Sequence, residues 1–574
     1  MFFETKALGP TALSPVWGHE RPVGTSPVRT TGGSRGLRPS FCSGRSPAWP
    51  VGRVTRGRVS GGPVVTTEAP SSTVHHPEVS SSSLVSMTTD YDVLVIGGGA
   101  GGLSAAGIAT NLGAKTAMIE RDALGGDCTW TGCVPSKTLL KAATVVHQAR
   151  TASKYGLTDQ SVDVDFGGVM DHVRQVRQEV YEEADAPEIF EDLDIDVREG
   201  DAHFIDAHTV GVERADGSTE QVTGRYVIVA AGARPLVPPI EGLGEVDVLT
   251  NESLFELEEQ PERLAIVGGG PIGTEMAQAF ARLGTEVVVL DMADRILSND
   301  DAELAATLRE TLEEEGVEYV LGAQVEKVAQ SGGTITISAG EQGPVEADAL
   351  LLATGRTANV DGLHLDAAGI DYTRQGITVD DRCRTSQGHV YAVGDVTGRY
   401  QFTHMSNHMA KVAVTNALLK VPSKIDADHV PWVTYTEPEL AHVGAHAADL
   451  DEQGVSYETY RFPYDQLDRA ITESETTGQI KVHATSLTGK ILGASVLGER
   501  AGELITAFTI AMRNGVTLRN IGDTIHPYPA YGEGVRRVAD QWYVQKQSPT
   551  VTKMLQTVFG YRGPVLKYGP DEIV

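Results

Sequence analysis

A glycine turn between an apolar strand and a helix occurs twice in this chain, in the same register each time. The first copy reads YDVLVIGGGAGG, with a strand expected over residues 93–96 and glycines at Gly97, Gly99 and Gly102. A helix is expected over residues 103–112, then a strand over 116–119 ending in Glu120. The second copy, RLAIVGGGPIG, carries Gly268, Gly270 and Gly273, a helix over 274–283 and a strand over 286–290 ending in Asp291. In both, the acid follows the third glycine by 18 residues. The glycines let the backbone approach a pyrophosphate at a helix N-terminus, and the acid accepts hydrogen bonds from ribose hydroxyls. One such turn is weak evidence. Two in register predict an α/β chain with two Rossmann-like dinucleotide-binding domains.

About 30 residues after the first turn comes GGDCTWTGCVPSK, with Cys128 and Cys133 five apart. Along a regular α-helix their Cα atoms would lie roughly 8 Å apart, beyond the usual disulfide limit of about 7 Å. Pro135 fits the first turn of a helix, which places Cys133 just before a helix N-terminus. The backbone dipoles there favour a thiolate over a thiol. The pair is read as a redox centre. A zinc site needs about four ligands, yet the chain holds four cysteines in all, and Cys42 and Cys383 stand apart from the pair. No metal site is expected. Two dinucleotides and a dithiol together imply a relay in which a nicotinamide, a flavin and a disulfide exchange electron pairs.

The 574 residues have room for three or four domains, and 41% hydrophobic content provides ample core. No apolar run approaches the roughly 20 residues needed to span a membrane. The formal charge is −30, although residues 1–86 carry nine Lys/Arg against four Asp/Glu. So acidic a body should repel nucleic acid and anionic membranes. The first 86 residues are rich in Ser, Gly, Pro and Arg and lack apolar periodicity, so disorder is expected there. They read either as an organellar presequence or as residues ahead of a true start at Met87, which directly precedes the first strand. The start at Met87 is preferred, and with it the cytoplasm.

From about residue 90 to about residue 540 the chain resembles the flavin-dependent pyridine nucleotide–disulfide oxidoreductases, among them dihydrolipoyl dehydrogenase, glutathione reductase and mercuric reductase. Supporting segments are VIVAAGARP (227–235, with Gly232), LLLATGRTAN (350–359, with Gly355), VYAVGDVTG (390–398) and WVTYTEPELAHVG (432–444). The resemblance implies FAD and NAD(P)H as cofactors. Cys128 would exchange with substrate, and Cys133 would lie against the flavin as a charge-transfer thiolate. Lys137 would sit at the flavin's reducible edge, paired with Glu275, and Asp395 would hold the ribityl chain. The implied domains are FAD-binding at 88–236 and 356–426, nicotinamide-binding at 237–355 and dimerisation at 427–545. A tail over 546–574 is expected to be loosely ordered. The partners are a second copy, forming a homodimer, and a small-molecule or metal-ion acceptor. Asp291, followed by Met292, favours NADH, although Arg295 is close enough to serve a 2′-phosphate.

Disulfide-handling members carry a His-Pro pair with Glu five residues after the His, a general acid/base and its orienting group. Here the segment is IHPYPAYGEG, and five residues before Glu533 stands Tyr528. A phenol with an ordinary pKa near 10 is a poor proton shuttle at neutral pH. Tyrosine at this position resembles the mercuric reductases, where it lies beside the metal path, as does AQAFARLG (277–284). Those enzymes also carry a C-terminal vicinal cysteine pair, and this chain has no cysteine after Cys383. His526 is the alternative base, and a purely structural Tyr528 stays open. Three functions are therefore carried forward: a mercuric reductase-like flavoenzyme, a dihydrolipoyl dehydrogenase-type enzyme, and a flavin-bearing redox sensor.

Overall fold

The strand Tyr91–Ile96 is the centre of the first sheet and is almost wholly buried, with Val93, Leu94 and Val95 at 0% exposure. Thr116–Glu120 and then Ile195–Glu199 pair with it in parallel on one side, and the second half of Thr219–Val229 on the other. Val390–Ala392 closes that edge, returning some 160 residues later in sequence. Continuous apolar runs are what a parallel sheet covered on both faces requires. The first half of Thr219–Val229 leaves this layer to join an antiparallel ribbon with Thr209–Glu213 and Asp201–Phe204. The computed structural model describes residues 89–547 and 549–565. The expected extension over residues 1–87, with both readings of it, lies outside the described residues.

A second parallel sheet, in the order Val317–Leu321, Glu286–Asp291, Arg263–Val267, Ala349–Leu352, repeats the pattern. A three-stranded antiparallel meander, Val325–Ser331, Thr334–Ala339 and Pro344–Ala347, flanks it. Chain passes between the two nucleotide sheets through a short ribbon pairing Ala233–Pro235 with Arg356–Ala358. Gly232 and Gly355 immediately precede its two strands, both in left-handed backbone (φ 68° and 115°) that favours glycine. The C-terminal unit is a five-stranded antiparallel sheet with the helices Ala501–Arg513 and Gly532–Lys546. Two doubly wound units and a C-terminal α/β unit are the fold class expected from the sequence.

One helix fixes the geometry of the site. Cys133–Arg150 buries Leu139, Leu140, Ala143 and Val146, the i, i+1, i+4, i+7 spacing of a single face. That face shares a core with Met276, Ala277 and Phe280 of the helix Pro271–Leu283, which opens the second nucleotide motif. The helix behind the dithiol is thus packed against the helix of the other nucleotide unit.

Two elements differ from expectation. Residues 169–190, whose sequence reads as one long amphipathic helix, form Phe166–Val180, a widened turn at Tyr181–Asp185, and then Pro187–Glu191. Pro187 forces Ala186 out of helical backbone (φ −62°, ψ 142°) and so ends the run. Past residue 546, where a loose tail is expected, Pro549–Phe559 is helical.

Candidate active site

The two glycine turns are near-copies in three dimensions. Gly97 and Gly268 adopt φ of 101° and 114°, and a Cβ at either would lie 2.4 Å from the carbonyl oxygen of Ala230 or Ala353. A Cβ at Gly102 or Gly273 would stand 1.8 or 1.9 Å from the oxygen of its own first glycine, so only glycine lets helix and strand close. The middle glycines are open: Gly99 would meet nothing nearer than 3.8 Å, and Gly270 nothing within 4 Å. Both helices begin without a side-chain cap and without an acid in the first turn. Their free N–H groups and positive dipole ends suit a pyrophosphate, so FAD and NAD(P)H fit these two cradles.

Glu120 and Asp291 end their strands as expected, and both are also tied to the turns. Glu120 accepts from the Gly98 N–H at 2.5 Å and from the Arg121 and Asp122 N–H groups at 2.9 and 3.0 Å. Asp291 accepts from Gly269 at 2.5 Å and from Ala293 at 2.8 Å. Arg295 donates to the carbonyls of Leu297, Ser298 and Asp300 at 3.2, 2.5 and 3.1 Å.

Between the cysteines the backbone breaks, as the disulfide geometry demands. Cys128 sits in the short helix Gly126–Trp130, and Thr131-Gly132 separates it from the helix Cys133–Arg150. A Cβ on Gly132 would lie 2.7 Å from the Asp127 carbonyl oxygen. Cys133 is therefore the first residue of its helix, one position further in than expected. The loop between the thiols is anchored by Trp130, whose indole N–H donates to Leu124 O at 2.8 Å and whose ring packs on Tyr181. Arg177 donates to the Trp130 carbonyl at 3.0 Å, and Asn251 to that of Thr131 at 3.3 Å.

Both cysteines are free thiols, Cys128 half-buried and Cys133 exposed. A hydrogen bond from Cys128 pulls the Cys133 thiol down to about 6, helped by Thr403 Oγ1 at 3.6 Å and by the Lys137 ammonium. The same hydrogen bond and burial push Cys128 upward. At neutral pH the pair keeps its proton on Cys128 and its negative charge on Cys133, at the N-terminus of a helix with no acid in its first turn.

Lys137 Nζ lies 2.8 Å from Glu275 Oε2 and 4.4 Å from the Tyr435 ring centroid. The other Glu275 oxygen accepts from the Tyr435 N–H at 2.9 Å, and Glu275 is 5% exposed. The Asp395 carboxyl is pushed up to about 6 by burial, against the pull of Arg356, whose Nε is 3.4 Å away. Arg356 also pairs with Asp127, next to Cys128, and donates to Ala233 O at 2.8 Å. A half-buried carboxyl with spare acceptor capacity fits a ribityl hydroxyl chain. When bound, FAD and NAD(P)H supply the two-electron chemistry, while these side chains hold the charges and protons around them.

Sequence reasoning missed Thr403, Tyr435, Asp127 and Arg356. Asp127, Arg356 and Tyr435 lie inside the segments GGDCTWTGCVPSK, LLLATGRTAN and WVTYTEPELAHVG, although nothing in those segments signals their contacts. Thr403 reaches Cys133 from 270 residues away through the packing of Thr403–Val414, which no local pattern signals.

Tyr528, His526 and Glu533 find their partners inside the C-terminal unit. The Tyr528 hydroxyl donates to Asp468 at 2.8 Å, and this hydrogen bond pushes the phenol upward. His526 Nδ1 is 3.0 Å from Thr524 O, and Glu533 pairs with Arg536 at 2.9 Å. Tyr528 is 68% exposed and Ile525 97%.

A family model for pyridine nucleotide-disulphide oxidoreductases matches residues 91–410, and that family's dimerisation domain matches residues 430–539. The chain is 36% identical over 458 residues to a mercuric reductase of Staphylococcus aureus, covering 78% of this chain and 82% of that protein. It is 33% identical over 469 residues to a dihydrolipoyl dehydrogenase of Bacillus subtilis, covering 79% and 98%. Among solved structures, the HOCl-induced flavoprotein disulfide reductase RclA of Escherichia coli superposes with TM-score 0.70 at 29% identity, covering 78% and 99%. LpdA of Mycobacterium tuberculosis superposes with TM-score 0.74 at 27% identity, again covering 78% and 99%. No helix among the described residues is long and apolar enough to cross a membrane. The chain belongs to the pyridine nucleotide-disulphide oxidoreductases, a family of FAD- and NAD(P)-dependent enzymes.

Proposed function

We propose that the protein takes electron pairs from NADH through FAD to the Cys128–Cys133 dithiol, and that its acceptor is a soft metal ion such as Hg(II) or a small electrophile. One observation carries this reading. The position five residues before Glu533 holds a phenol whose proton is committed to Asp468, and Glu533 itself is committed to Arg536. A thiol–disulfide exchange needs a base to receive and return a proton, whereas a metal ion held by two thiolates does not. Cys133 is ready as a thiolate, and Cys128 releases its proton to solvent as the metal displaces it. RclA is also solved as a Cu(II) complex, at TM-score 0.70 and 28% identity, which favours a metal ion as acceptor.

Preference for NADH is supported by Arg295, whose guanidinium is used on three backbone carbonyls. Asp291 beside the 74%-exposed Met292 offers a 2′-phosphate no positive charge. The dimerisation domain supports a homodimer, and bacterial relatives support the cytoplasm as its place.

The dihydrolipoyl dehydrogenase reading is supported by the relatives of that name and requires His526 as base. The two readings separate with one batch of holoenzyme, comparing Hg(II)-dependent NADH oxidation with dihydrolipoamide oxidation. The expected result is measurable mercuric reduction, lost in Cys128→Ala and lowered in Tyr528→Phe. Dihydrolipoamide turnover should be weak, since general acid–base catalysis typically supplies about 10²–10⁴-fold. Fast dihydrolipoamide oxidation that falls in His526→Ala and ignores Tyr528→Phe would replace the proposal with the dehydrogenase. A protein that holds its reduced dithiol in a stable complex and turns over neither acceptor would be a redox sensor.

A further inference from the structure

The helix Pro549–Phe559 begins ten residues past the end of the segment matched as dimerisation domain. Its apolar side chains fall at Val551, Met554, Leu555, Val558 and Phe559, an i, i+3, i+4, i+7, i+8 stripe down one face. None of its residues is buried: Met554 is 56% exposed, Leu555 37%, Val558 67% and Phe559 61%. Isolated helices below about 12–15 residues are marginal in water, so an 11-residue amphipathic helix draws its stability from whatever covers its stripe.

We propose that this helix is a clasp between two copies of the chain, laying its apolar face on the C-terminal unit of the partner subunit. Continuity selects that occupant. The helix follows Gly532–Lys546 after two residues, so it starts at the unit the family uses for dimerisation. Charge points the same way. The helix has no acid and a single charge, Lys553, in a chain of net charge −30, so it complements the acidic surface of a second copy. The same acidic body disfavours an anionic membrane as the covering surface. In a two-fold dimer the contact is made twice, once by each copy.

The test uses the full-length, FAD-loaded protein. Met554→Asp with Val558→Asp alters side chains that support no core, and a chain ending before Pro549 removes the clasp altogether. Dimer dissociation is read by mass photometry on dilution, with far-UV circular dichroism and flavin absorbance as checks on the fold. Both variants should raise the dimer dissociation constant at least about tenfold, the effect of roughly 1.4 kcal/mol. Dimer affinity unchanged in both variants would overturn the proposal. So would flotation of the native protein with phosphatidylglycerol vesicles that the double variant loses, since the stripe would then face lipid.

Discussion

Lys137 and Glu275, 138 residues apart, form an ion pair at 2.8 Å that joins the helix opened by Cys133 to the helix opened by the second glycine turn. The two members act on the dithiol in opposite senses. The ammonium lowers the Cys133 thiol and the carboxylate raises it. In Lys137→Met the thiolate should therefore titrate at higher pH than in the native enzyme. In Glu275→Gln it should titrate at lower pH. Long-wavelength absorbance of the two-electron-reduced holoenzyme against pH reads both. A shift in the same direction for both variants would contradict the assignment.

Arg356 spans Asp127 and Asp395 and is 13% exposed at its side chain. Removing the cation leaves Asp395 more protonated than its present midpoint near 6 implies, and leaves Asp127 unpaired beside Cys128. Breaking such a partly buried pair typically costs a few kcal/mol, at most about 3–5. Arg356→Met should lower the thermal midpoint and raise the FAD dissociation constant together. Native-like FAD affinity in the variant, measured by fluorescence on dilution, would remove Arg356 from the flavin site.

Nicotinamide choice rests on Asp291 and on the engagement of Arg295 with backbone carbonyls. The expected outcome is a higher kcat/KM with NADH than with NADPH, narrowed or reversed by Asp291→Ser with Met292→Arg. A markedly higher kcat/KM with NADPH in the native enzyme overturns this.

A buried imidazole cluster links the nicotinamide and C-terminal units. His442 stacks on His446 with centroids 3.6 Å apart, Trp432 lies over His442, and the Trp432 indole donates to Asp300 at 2.8 Å. Lys481, paired with Asp301 and Glu303 at 2.8 Å each, lies among the groups acting on His483. Burial lowers His442 to about 3 and His483 to about 4. At these two imidazoles the folded state binds fewer protons than the unfolded one below pH 6.5, so their contribution to stability falls as pH drops through that range. Asp300, pushed up to about 6 by burial, works in the opposite sense. His442→Asn should flatten the decline between pH 6.5 and 4.5 by about 2 kcal/mol, since one proton is worth about 1.36 kcal/mol per pH unit and the unfolded imidazole is half charged at the start of that range. Parallel urea-unfolding curves at the two pH values for native and variant would contradict it.

Much of this was legible from spacing. Each glycine turn, with its acid 18 residues on, dictates backbone contacts within one βαβ segment, so local pattern was enough. The break between Cys128 and Cys133 followed from disulfide reach, although the position of Cys133 inside its helix depended on Gly132 closing against Asp127. The Pro187 break was visible in the sequence but outweighed by the apolar period around it. Thr403 and Tyr435 were not legible, because their places beside Cys133 and Lys137 come from packing between distant elements. The stripe on Pro549–Phe559 has helical period, yet its short length and lack of a capping acid gave little sign of order.

We propose that the two thiols are unequal, with Cys133 the thiolate against the flavin and Cys128 the thiol that meets the acceptor. Anaerobic titration of the holoenzyme with NADH, followed at long wavelength, tests it most directly. The native enzyme should develop a charge-transfer band after two electrons, with a midpoint near pH 6 for its loss on acidification. Cys128→Ser should show the band without reduction, and Cys133→Ser should show none. A band that survives in Cys133→Ser and disappears in Cys128→Ser would contradict the account.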